Sequence, residues 1–132
     1  MTFAACLAIV LAVISEPIDQ RMAPRAIALE IARVAQTPLE AAVMAVTSWE
    51  ESRHMPDAVG DSGRARCAFQ LQHAPISVLR DLRQCTEIAY ERVMASWRAC
   101  PNAPLAIYAS GRCVRGTRLS ARRMARALAL LR

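Results

Sequence analysis

Trp49 to Gln72, WEESRHMPDAVGDSGRARCAFQLQ, holds the densest set of residues able to do chemistry in this chain. Two adjacent carboxylates, Glu50 and Glu51, end an apolar run. A turn-rich loop containing Gly60, Asp61, Ser62 and Gly63 follows, and Phe69 and Gln70 lie beyond it. A carboxyl placed where a helix leaves a core is partly desolvated, and a desolvated carboxyl can hold a proton near neutral pH and act as a general acid. The same residues also read as a pair of surface acids at a helix end, and spacing alone favours that second reading. Asp61 is the loop's further carboxylate. Within Gly-Asp-Ser-Gly it reads as a turn-former.

The elements around this stretch are predicted to be helices. Pro24 opens one, with Ile27, Ile31 and Val34 on its apolar face. Thr37-Pro38-Leu39-Glu40 is a capping box with Pro at the first helical position. The helix it starts buries Leu39, Val43, Val46 and Trp49 and stops around Glu50 to Ser52. Cys67 to Leu71 is a short apolar piece too brief to classify. A longer helix follows over Asp81 to Ala99, with Leu82, Cys85, Ala89, Val93 and Trp97 inward, and Pro101 stops it. Asn102 is expected to cap a short helix over Ala103 to Ser110 that Gly111 ends. Ser120 is expected to cap the last helix, with Met124, Leu128 and Leu131 in the core and Arg122, Arg123 and Arg126 in solvent. No repeat or linker interrupts residues 16–132, which read as one domain.

With these elements in order, the chain resembles the lytic transglycosylase and goose-type lysozyme superfamily. That pattern has a Glu-Ser pair at the end of a buried helix, matched by Glu51-Ser52, with Pro56 and Ala58 at the expected offsets. A Gly-x-Ala-x-Gly-aromatic-Gln segment follows, matched by Gly63, Ala65, Phe69 and Gln70. Ala106 to Gly111 resembles a later Tyr-Asn-Ala-Gly segment. The likeness runs from Pro38 to Gly111 and departs at three places: His54 stands where an aromatic packs, Cys67 replaces a Gly, and Ala109 replaces the Asn.

The resemblance implies a mostly α, small single-domain lysozyme-like fold, with an irregular loop or minimal β element around residues 56–71. It implies cleavage of the β-1,4 bond between N-acetylmuramic acid and N-acetylglucosamine in peptidoglycan, with Glu51 as the single acid and base. Ser52, Gln70, Tyr108 and Ser110 would bind substrate, Tyr108 by bonding Glu51 or shaping its pocket, and Phe69 would form a wall. The alternative is a non-catalytic peptidoglycan-binding or secretion-associated module of the same fold. The implied partners are glycan strands, with no cofactor, no nucleic acid and no stable membrane insertion, and the chain is expected to be a monomer.

Composition is consistent with this. At 132 residues and 14.5 kDa the chain has room for one domain. Apolar residues at 55%, a mean hydropathy of +0.20 and only four Gly exclude disordered and collagen-like classes. Ala at 26 positions and aromatics at 5% favour packed helices. All 17 cations are Arg, giving a net charge of +6. The absence of Lys reads mainly as base composition; the cations are spread along the chain with little aromatic interleaving, which argues against a nucleic-acid interface, and the positive sign also suits an anionic wall polymer.

Phe3 to Ile14 is an unbroken apolar run, too short to span a bilayer and of the length of an export-signal core, with a cut expected near Glu16. A buried first helix is the alternative. Cys6 lies in this run, and the remaining Cys67, Cys85, Cys100 and Cys113 are an even set suited to an oxidising compartment. Four cysteines allow three connectivities. Pairing Cys100 with Cys113 across the short helical hairpin leaves Cys67 with Cys85. No metal site is expected: there is no C-x-x-C, and His54 and His73 stand far apart in sequence. A secreted or periplasmic location follows from these features.

Overall fold

The computed structural model describes residues 1–14 and 24–132. The expected cut near Glu16 lies outside the described residues. Among those described, the fold is mostly helical with one two-stranded antiparallel sheet. The helices are α1 (Phe3–Val13), α2 (Pro24–Val34), α3 (Pro38–Ser52), α4 (Ile76–Leu79), α5 (Leu82–Ala99), α6 (Ala106–Ser110) and α7 (Thr117–Ala129), and the strands are β1 (Val59–Gly60) and β2 (Ala65–Arg66). No described helix is long and apolar enough to cross a membrane.

The central element is α3. Thr37 accepts from the Glu40 N–H and the Glu40 carboxylate returns to the Thr37 N–H, so the capping box forms with Pro38 behind it. Every residue from Ala41 to Trp49 is buried, as expected for a helix covered on all sides. Neighbours α1, α2 and α7 pack on it, while α5 lies against α2. Thr47 and Ser48 fit this apolar setting because each hydroxyl has a partner, the Val43 carbonyl at 2.8 Å and His54 Nδ1 at 2.9 Å.

The α1 helix is docked into the core rather than standing apart. Cys6, Val10 and Val13 are buried, and the Val13 carbonyl, an orphan acceptor at the helix end, takes an N–H from Arg126 at 2.7 Å. The helix α5 starts one residue later than expected, and Asp81 caps it, accepting from the Gln84 N–H.

Two caps and one helix register differ from expectation. The short helix starts at Ala106, and Pro104 and Leu105 precede it in irregular backbone, so Asn102 caps nothing. The last helix starts at Thr117 behind Gly116, whose φ of +69° suits a residue without a Cβ. Ser120 is therefore inside the helix, buried, and its hydroxyl accepts the Leu105 N–H at 2.9 Å. The face of α7 turned inward is Ser120, Arg123 and Ala127. Leu128 and Leu131, expected in the core, are 48% and 39% exposed.

Both disulfides form, Cys67–Cys85 and Cys100–Cys113, and Cys6 is free. The first ties the loop to α5 and the second closes the chain over α6. In loops of this size each contributes about 3 kcal/mol.

Candidate active site

The loop after α3 forms a short platform. Arg53 ends the helix in left-handed backbone and His54 continues it. Val59 and Gly60 pair with Arg66 and Ala65, and a tight turn through Asp61, Ser62 and Gly63 joins them. Arg66 also bridges Leu71, so Cys67 to Gln70 becomes a turn whose Cys67, Ala68 and Phe69 side chains are buried. His54, expected as a departure in the loop, is packed inside. Its ring lies 5.3 Å from that of Trp49 and is fully buried.

Between this platform, α5 and α6 lies a groove of about 890 Å3. Glu51, Gln70, Tyr108 and Ser110 all line it, so four of the six residues singled out for catalysis, sugar contact or wall share one concave surface. Phe69 is fully buried and serves as core behind the wall. Ser52 faces away from the groove. Its hydroxyl donates to the Ala68 carbonyl at 2.7 Å and accepts from the Met55 N–H at 3.1 Å, strapping the helix end to the platform.

The side chains of the groove are held mainly by the protein itself. Gln70 Nε2 donates to the carbonyls of Cys67 at 2.9 Å and Ala58 at 3.2 Å. A Cβ on Gly60 would collide with Gln70 Oε1, so a side chain there would push the amide from its place. Asp61 accepts from Gln72 Nε2 at 2.6 Å across the turn that it builds. Tyr108 bonds the Phe69 carbonyl at 2.7 Å rather than Glu51. Burial keeps the Tyr108 hydroxyl protonated far above the usual tyrosine range, and the nearby Glu51 charge adds to this. Tyr108 is a fixed neutral donor that shapes the pocket. Ser110 turns its hydroxyl back to the Ala106 carbonyl at 2.7 Å.

Glu51 is partly open to solvent and paired with a cation. Arg123 Nη1 donates to its Oε1 at 2.8 Å, and the Arg123 side chain is only 7% exposed. Next to it, Arg126 bridges Glu50 at 2.8 Å and the Val13 carbonyl. The expectation that Arg123 and Arg126 stay solvated is thus corrected. An arginine can be buried when its charge meets a carboxylate and its stem packs, and the small Ser120 and Ala127 on either side let α7 come close enough to α3 for this. Ser120, Arg123 and Ala127 at three-and-four spacing was the sequence signal that could have revealed it.

His54 lies on the opposite side of the α3 end from the groove. Burial pushes its imidazole down to about 4, the Arg126 charge acts in the same direction, and the Val10 carbonyl opposes it without forming a well-aligned bond to Nε2. No cluster of three or more potential metal ligands occurs among the described residues.

Comparison with protein-family models, with curated proteins and with solved structures finds no match to this chain.

Proposed function

We propose that the chain is a peptidoglycan-cleaving muramidase or lytic transglycosylase acting outside the cytoplasm. The observation that carries this is the position of Glu51. It ends a buried helix and opens into a groove large enough for sugar rings, with Tyr108 close by; the Arg123 pair favours the charged form, so the reading requires that pair to loosen when glycan binds.

In this reading Glu51, released from Arg123 as glycan fills the groove, takes a proton from solvent and gives it to the bridging oxygen of the glycosidic bond. The C1–O bond breaks, and the sugar with the new hydroxyl leaves. The carboxylate then takes a proton either from the muramyl C6 hydroxyl, which closes a 1,6-anhydro ring, or from a water that adds at C1. Arg123 stabilises the charge left on Glu51 between these steps. One acid serves both, and Asp61, engaged with Gln72, is not needed as a second. The reading calls for no cofactor, and the two disulfides suit an oxidising compartment.

A second reading has one specific observation in its favour. The Glu51–Arg123 pair and the self-bonded Gln70 and Ser110 also suit a groove that binds glycan without cutting it. Clearing of a peptidoglycan suspension separates the two. The enzyme reading expects clearing by the native protein and none by Glu51→Gln with an unchanged circular dichroism spectrum. Co-sedimentation with peptidoglycan without any clearing supports the binding module.

A further inference from the structure

The charges of the groove are unevenly matched. Its two carboxylates are both engaged, Glu51 by Arg123 and Asp61 by Gln72. Its arginine is not matched in this way. Arg92 lines the groove from α5, is half-buried, and donates from Nη1 to the Gln72 carbonyl at 2.7 Å. No carboxylate of the described residues is within ion-pair distance of it. A guanidinium has five N–H donors in a rigid plane. One backbone contact therefore orients the fork and leaves its remaining donors for a ligand. The charges of Arg92 and Glu51 both bear on the Tyr108 hydroxyl, which puts the cation in the neighbourhood of the reacting group. His73 borders the same stretch of groove.

We propose that Arg92 is a carboxylate-recognition site and that the groove selects glycans bearing carboxylates over neutral ones. This rests on the glycan reading above and narrows it. Planar, bidentate pairing of a guanidinium with a carboxylate is the chemistry supplied by an oriented arginine that has no carboxylate partner among the described residues. Two sources present that group on a muramyl strand: the lactyl side chain of a peptide-free residue, or the stem peptide of a substituted one. A chitin oligomer presents neither.

The test is binding, measured by calorimetry on Glu51→Gln protein so that no probe is consumed. The probes are chitohexaose, peptide-free muramyl glycan and peptide-bearing muramyl glycan. Adding Arg92→Gln is expected to weaken at least one muramyl probe about tenfold and to leave chitohexaose unchanged. Loss confined to the peptide-free strand assigns the lactyl carboxylate, and loss confined to the peptide-bearing strand assigns the stem. Without the Arg92 change, the preference for muramyl probes over chitohexaose is expected to shrink as salt rises, a readout that does not depend on how well the variant folds. Equal loss on all three probes, no loss on any, or a preference insensitive to salt overturns the proposal and leaves the glycan reading standing. Failure of the Glu51→Gln protein to bind any of the three probes overturns both.

Discussion

The end of α3 has two sides, and each holds a titratable group that the same few residues of chain put in place. Toward the groove, Glu51 is partly open to solvent and answered by Arg123. Toward α1, His54 is closed off completely, packed at a tilt against Trp49 and bonded to Ser48, with Nε2 lacking a partner. Arg126 joins the two sides, reaching Glu50 with one nitrogen and the Val13 carbonyl with the other. The difference lies in how each side deals with charge. The groove side keeps a charge by pairing it, while the sealed side excludes charge, and that neutrality depends on α1 staying in place.

The largest effect is expected from breaking the seal. A chain lacking residues 1–14 loses the burial of Cys6, Ile9, Val10 and Val13, about 5 kcal/mol or more at the usual 1.5–3 kcal/mol per large apolar side chain. A fall of this size in the unfolding free energy, seen as a lower urea midpoint, is expected. An unchanged midpoint would mean that α1 contributes nothing to the fold, as required if it is only an export signal removed near Glu16. The intact mass of the protein recovered from cells shows which form is used.

The next effect tests the sealed side through pH. The folded value of His54, about 4, is below its ordinary 6.5, so the unfolded chain takes up the proton first. Stability is therefore lost as pH falls from about 6.5 to about 4, by on the order of 3 kcal/mol, and levels off below that window. Urea unfolding at several pH values is expected to show this slope in the native chain and a shallower one in His54→Phe. Equal slopes in both would show that His54 is accessible to protons in the folded state.

On the groove side, a double-mutant cycle with Glu51→Gln and Arg123→Gln is expected to give a coupling of about 1–2 kcal/mol in unfolding free energy. A coupling near zero would remove the pairing from the account. The smallest effect belongs to Tyr108→Phe, which loses the bond to the Phe69 carbonyl. It is expected to cost about 1 kcal/mol, read as a small drop in unfolding midpoint with clearing slowed but not abolished.

Much of this arrangement was legible in the sequence, where local rules and burial agree. The capping box at Thr37, the apolar run of α3 and the turn chemistry around Asp61 each express a nearest-neighbour preference that packing then reinforces. Glu51, Gln70, Tyr108 and Ser110 were singled out from the sequence, and the fold brings them to one groove. What could not be read was long-range. The register of α7 was taken from its large apolar residues, yet the helix turns its small residues and an arginine inward, because carboxylates 72 and 76 positions away are waiting there. His54 looked like a departure from an aromatic pattern, and only the surrounding Trp49 and α1 make it a buried neutral ring. Gln70 and Ser52 looked like sugar ligands, since one chain of letters does not show that a side chain will bond its own turn.

The most direct test of the central claim is mass spectrometry of peptidoglycan incubated with the native protein beside Glu51→Gln. The account predicts new muramyl ends with the native protein, in either the 1,6-anhydro or the reducing form, and none with the variant. Intact glycan in both reactions, or the same new ends in both, would contradict it.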